Sequence, residues 1–173
     1  DGDSLGRAIQ YGQLLPSMIG GWRQASGNPA LPFVVVQARP VVTHADRRLA
    51  AELRDAQREG AAAAKAVLVV SIDLPKDPHP RDLCPRITEA MLAKIYKKED
   101  AACDGPELAG AATVGNKVIL RFRNTRGGLV SKGGGALQGF AIASSLFRWV
   151  WADAVIRGDT VEVSAPTVEK PEG

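Results

Sequence analysis

Lys65-Ala-Val-Leu-Val-Val-Ser-Ile-Asp-Leu-Pro-Lys-Asp-Pro-His-Pro80 is the stretch whose reading decides the fold. Ala66 to Ile72 is almost unbroken apolar, the pattern of a strand covered on both faces, as in a parallel sheet. The loop behind it gathers Asp73, Asp77 and His79, and Pro75, Pro78 and Pro80 restrict its backbone. A helix is predicted next, over 84–98, with Pro85 in its first turn. Open α/β sheets bind ligands at the carboxyl ends of their strands. The acidic residues and the histidine therefore fall where such a fold carries out chemistry.

Upstream of that strand, Tyr11, Leu14, Leu15, Met18, Ile19 and Trp22 recur at helical spacing within 6–23. The pattern predicts one continuous core-facing stripe, kinked or divided at Pro16. Gly27-Asn28-Pro29 marks a turn. Leu31 to Ala38 reads as a second apolar, β-branched strand, and Gln37 lies at its carboxyl end. His44 stands among polar residues and reads as a solvated loop histidine. Residues 46–59 are helical in pattern, with Leu49, Leu53 and Ala56 inward, Asp46 as N-cap and Gly60 as C-cap. Downstream, Ile87, Met91, Leu92 and Ile95 supply the apolar face of the third helix, with Lys94, Lys97 and Lys98 near its C-terminus.

The style changes at Asp104-Gly105-Pro106. Beyond it, short β segments alternate with glycine. Lys117 to Arg123 and Gly139 to Ala143 alternate inward and outward, and Ala154 to Ser164 reads as a hairpin turning at Gly158-Asp159. The tail from Val168 reads as frayed. The chain thus divides into a partial α/β domain over 1–103 and a small β-sandwich-like module over 104–173. Consecutive βα units imply a parallel sheet with right-handed crossovers. Two clear strands make a small sheet, so further strands are expected upstream.

Bulk properties exclude several classes. The chain has 173 residues, 45% hydrophobic and 24% charged, an ordinary globular composition. Its net charge of +3 is spread without a basic patch and aromatics are only 5%, so no nucleic-acid partner is expected. No run approaches the roughly 20 apolar residues of a membrane helix. Two histidines and no Cys-x-x-Cys pair argue against a metal site, and Gly133 to Gly135 lacks the helix context of a phosphate loop. No cofactor is expected. Cys84 and Cys103 either pair or remain two thiols. The opening Asp-Gly-Asp-Ser, without Met, suits a processed chain or a fragment. Gly2-Asp3-Ser4-Leu5 spells the nucleophile motif of GDSL hydrolases, but no strand precedes it, and it reads as a chance tetrapeptide.

Taken in order, these blocks resemble the sialate O-acetylesterase family of SGNH hydrolases, which remove acetyl groups from sugar hydroxyls. Tyr11 to Arg23 resembles that family's helix ending in Asp-Trp-Arg. Leu31-Pro-Phe-Val-Val-Val-Gln37 and Leu53-Arg-Asp-Ala-Gln57 resemble its second strand and helix. Ser71-Ile-Asp-Leu to Asp77-Pro-His-Pro80 resembles its Asp-Leu-Gly-Asp and Asp-Ile-His-Pro block, and 139–164 resembles its C-terminal β module.

The resemblance implies an SGNH-hydrolase-like (flavodoxin-like) parallel sheet. It also implies His79 as the general base of a serine esterase, with Asp77 as its acidic partner. The family more often spaces that pair Asp-x-x-His, whereas here it is Asp-x-His, so Asp73 stays open as the alternative. The family's nucleophilic serine block lies upstream and has no counterpart here; Ser4 would stand beside the oxyanion segment. The implied partners are an acetylated carbohydrate and an N-terminal portion carrying the serine. The implied compartment is secreted or periplasmic. An inactive carbohydrate-binding module, and an acetylxylan or xyloglucan esterase on the same scaffold, are the alternative readings.

Overall fold

The computed structural model describes residues 6–37, 47–74, 79–98, 105–144 and 148–172. Two compact units divide the chain, Asp1–Cys103 and Asp104–Gly173. The first contains α1 (Ala8–Ala25), β1 (Val34–Val36), α2 (Arg47–Ala63), β2 (Val67–Val69) and α3 (Pro80–Lys94). β1 and β2 pair in parallel, with Val34 beside Val67 and Val36 beside Val69. The Gln37 N–H donates to the Val69 carbonyl at 2.8 Å and carries the ladder one residue further.

α1 and α2 meet at small residues. A Cβ placed on Gly60 would lie 3.2 Å from Leu15 Cδ2 and 3.4 Å from the Gly12 carbonyl, and one on Gly12 would lie 3.8 Å from Ala56. Gly60 is therefore a packing glycine inside α2 and not its C-cap; the helix continues to Ala63 because the close approach to α1 needs a residue without a side chain there. Leu15, Ile19, Ala50 and Leu53 are buried in this unit. Tyr11, Phe33 and Val35 pack around Leu15 and Ile19.

The continuous stripe expected on α1 is only half covered. Leu14, Met18 and Trp22 are 66%, 46% and 57% exposed. Periodicity marks an apolar face about 100° wide, but the neighbours among the described residues cover only its Leu15–Ile19 side. Arg23 closes the end of α1: its Nε donates to the Leu31 carbonyl at 3.0 Å and its Nη1 to the Ala64 carbonyl at 2.6 Å. Its guanidinium lies 5.5 Å from the Phe33 ring centre.

The run Ala66–Ile72 is not buried on both faces. Val69 is buried, but Val70 and Ile72 are 44% and 46% exposed, because the described sheet stops at two strands. α3 starts four residues earlier than the apolar pattern predicts. Pro80 occupies its first position, where the fixed φ suits a helix and the missing N–H costs nothing, and Pro85 falls inside. Asp46, expected as the α2 N-cap, lies outside the described residues, as does His44.

The second unit contains β3 (Glu107–Val114), β4 (Lys117–Arg123), β5 (Ala141–Ala143), β6 (Trp149–Trp151), β7 (Asp153–Arg157) and β8 (Thr160–Ser164). Four strands form an antiparallel sheet in the order β3-β4-β8-β7, and β5 pairs with β6. Both tight hairpins turn on a glycine in the first turn position, Gly115 at φ 61° and Gly158 at φ 65°, a geometry open to glycine at little cost. One core joins the two sheets: Val118, Val161 and Val163 from the larger meet Ile142 from the smaller. The tail is not frayed. Val168 is 4% exposed within that core, and the Glu172 N–H donates to the Ala143 carbonyl at 3.0 Å. Val168 and Ala165 anchor the tail in the core of the unit.

Candidate functional site

The carboxyl ends of β1 and β2 are joined by a small polar network. Ser71 Oγ donates to the Gln37 carbonyl at 2.9 Å, and both residues are buried. Gln37 Nε2 in turn donates to the Arg54 carbonyl of α2 at 2.8 Å. These bonds satisfy polar groups that burial would otherwise penalise by about 1–3 kcal/mol each. They also fix where the loop leaves β2.

That loop is held a second time at Asp73. Arg86, on α3, places Nη1 2.7 Å from Asp73 Oδ1 and Nη2 2.6 Å from Oδ2, and Nη1 also donates to the Val70 carbonyl at 2.9 Å. The two-pronged pair orients both planes, which a single contact would not. The hydrogen bonds that Arg86 donates to Asp73 raise its pKa above its already high value, so the guanidinium stays charged at every working pH. Asp73, the alternative support for His79, accepts both prongs of Arg86.

His79 is exposed and sits at the N-cap of α3. Its Nδ1 accepts the Arg81 N–H at 3.1 Å, while Asp82 Oδ2 accepts the His79 N–H at 3.1 Å. This is the reciprocal pattern of a capping box, with imidazole in place of a hydroxyl. An accepting Nδ1 leaves the proton of the neutral ring on Nε2. A general base in a serine triad has the opposite tautomer: Nδ1–H faces a carboxylate and the Nε2 lone pair faces the hydroxyl. To act as a base, the ring must release Arg81 and turn. Asp77, the expected partner, lies outside the described residues, as do Ser4 and Cys103. Cys84 is an exposed free thiol on α3.

Sequence reasoning missed Arg86 and the cap. The cap was signalled by His-Pro-Arg-Asp, which puts proline at the first helical position and a carboxylate at the third. Arg86 had no local signal, since its partner lies thirteen residues away. Among the described residues, no three His, Cys, Asp or Glu side chains gather as a metal site. Two open hollows of about 620 and 540 Å³ are lined by Arg7, Ile9 and Glu52 and by Gln13, Leu14 and Ser17 among others, away from Asp73 and His79.

Solved structures resemble the chain over most of its length. Among them is XAC1771, a carbohydrate acetylesterase from Xanthomonas citri, matched with a TM-score of 0.80 and 29% identity over 95% of this chain. The chain spans 40% of the length of XAC1771. No protein-family model matches the chain, and no curated protein does. The mixed α/β architecture described above is therefore one found within a carbohydrate acetylesterase. His79 itself is placed as the N-cap of α3, the helix whose Arg86 holds Asp73 behind β2.

Proposed function

We propose that this chain supplies the histidine arm of a carbohydrate O-acetylesterase of the SGNH type, one whose sequence blocks resemble those of sialate O-acetylesterases. The observation that carries the reading is the likeness to a carbohydrate acetylesterase over 95% of the chain, with His79 on the loop that follows β2. The nucleophilic serine belongs to an N-terminal portion of the same protein, and the substrate is an acetylated sugar. Acetylxylan and xyloglucan esters are further substrates of the same class. A secreted or periplasmic setting goes with this reading.

The chemistry is acyl transfer to water. Nε2 of His79 takes the serine proton as the hydroxyl oxygen bonds to the acetyl carbonyl carbon. The same proton passes to the sugar oxygen as the C–O bond breaks. Water then enters by the same route and releases acetate. Asp77 holds the ring by Nδ1 after it leaves the cap. Exposed Val36, Val70 and Ile72 beside a two-strand sheet, with Leu14, Met18 and Trp22 on α1, support an N-terminal partner seated on this unit.

A second reading, an inactive carbohydrate-binding piece, is favoured by the cap itself, which occupies Nδ1. The two separate in one experiment. Native mass spectrometry of the natural material is run beside p-nitrophenyl acetate turnover. A second polypeptide, with turnover lost in His79→Asn, is the expected result. A lone chain without turnover, or turnover that survives His79→Asn, overturns the esterase role.

A further inference from the structure

We propose that Arg86 is a positioning residue, which fixes where α3 carries His79 relative to the end of β2. The role rests on the esterase reading above and supplies the device that keeps its histidine in place. Arg86 makes three hydrogen bonds to two points behind β2, two to the Asp73 carboxylate and one to the Val70 carbonyl. That strand end is itself braced. Buried Ser71 donates to the Gln37 carbonyl behind β1, and Gln37 donates to the Arg54 carbonyl on α2. Arg86 thus ties α3 to a frame made of both strands and a second helix.

His79 and Arg86 belong to one arm. His79 caps α3, and Arg86 follows seven positions later. At about 100° and 1.5 Å per residue, seven steps return to within about 20° of the starting side and advance about 10.5 Å. α3 stays helical through Pro85, so the two ends of this arm move together. Over that length a tilt of about 6° at the fork displaces the cap by about 1 Å. A displacement of about 1 Å costs a positioned reaction up to about a hundredfold. Stability is not what the ion pair is built for. Its Arg86 and Asp73 side chains are 34% and 42% exposed, where ion pairs add little to folding. What is specific is the geometry: a planar fork grips a planar carboxylate, and a further bond reaches the backbone.

The exposed thiol of Cys84, on α3 between the two residues, lets the position be measured on the whole chain. With Cys103→Ser, a nitroxide on Cys84 broadens backbone amide signals by the inverse sixth power of distance. Arg86→Ala tilts the arm and is expected to alter the broadening at Val70 and Ser71 about twofold, while that at Arg81 on the same helix stays as it was. In the natural material, p-nitrophenyl acetate turnover should lose about tenfold in kcat at unchanged KM, with part of it restored by added guanidinium. A purely structural role gives neither that split nor that rescue. Should Arg86→Ala lower the urea midpoint, Arg86→Lys, which keeps the charge and loses the fork, carries the same comparisons. Unchanged broadening, or altered broadening with full kcat, overturns the role. No turnover in the unsubstituted material removes the esterase reading alone, and the broadening then decides whether Arg86 sets the place of His79.

Discussion

His79 caps α3, and the base role proposed for it would need the same Nδ1 in the opposite protonation state. As a cap it lends Nδ1 to the Arg81 N–H; as a base it needs Nδ1 to carry the proton. Substitution separates them. Asparagine is a good N-cap and no base, whereas alanine is neither. His79→Ala is expected to lower unfolding free energy by about 1 kcal/mol, and His79→Asn by less than half of that, in urea titrations. If the proposed esterase role holds, both abolish turnover of the assembled protein. Equal stability of the two variants would sink the capping argument, and activity in the asparagine variant would sink the base. Arg23 makes a different point. It lies beside Trp22 in the block that resembles an esterase motif, yet its guanidinium bonds two carbonyls that connect the first helix to the chain on either side of it in space. A lysine reaches one carbonyl at a time and cannot form the fork. Arg23→Lys is expected to cost about 1–3 kcal/mol of stability, because one partly buried carbonyl loses its donor. A thermal midpoint equal to wild type would refute this.

At the level of elements, the helix pair of the first unit depends on absent side chains. Gly60→Val would press a branched side chain against Leu15 and the Gly12 carbonyl. Overpacking of this kind costs about 1–3 kcal/mol, and β-branching adds nothing to offset it in a helix. Thermal unfolding should show the drop, and an unchanged midpoint would mean the helices separate freely. The same glycine explains a limit of sequence reading: a glycine at the end of an apolar pattern looks like a cap, and only the neighbouring helix reveals it as a contact. Where the signal is local, the reading survives. The β7–β8 hairpin turns at Gly158-Asp159 as its sequence predicts, and β4 runs over the residues that alternate. Where the signal depends on what covers a face, it does not. The α1 stripe and the Ala66–Ile72 run are apolar as read, but Leu14, Val70 and Ile72 remain in water. The position of His79 after a strand was legible from hydrophobicity and proline punctuation. Its cap and the Asp73–Arg86 fork depend on side-chain geometry, which spacing alone does not carry.

For the molecule as a whole, each unit closes a core of its own, but the two finish differently. The β unit returns its tail to β5 and leaves tryptophans on one strand. The α/β unit leaves Leu14, Met18 and Trp22 along one side of α1, one helical turn apart. Exposed apolar rows of that length either associate or are covered. If an N-terminal portion sits there, replacing the row by charge should weaken that association without loosening the unit, because surface substitutions away from packing sites shift stability by no more than about 0.5 kcal/mol. Leu14→Glu with Met18→Lys is the variant of choice: the pair is spaced i, i+4 with the acidic residue first, the order that favours a helix by about 0.2–0.5 kcal/mol. Circular dichroism and urea titration of this variant should match wild type. Its capture of a co-produced N-terminal portion should fall by tenfold or more, a loss of about 1.4 kcal/mol for each factor of ten. Retained capture with unchanged stability would place the partner elsewhere. Loss of stability would mean that α1 is already covered by its own chain, and the row would then be part of the core that its spacing first suggested.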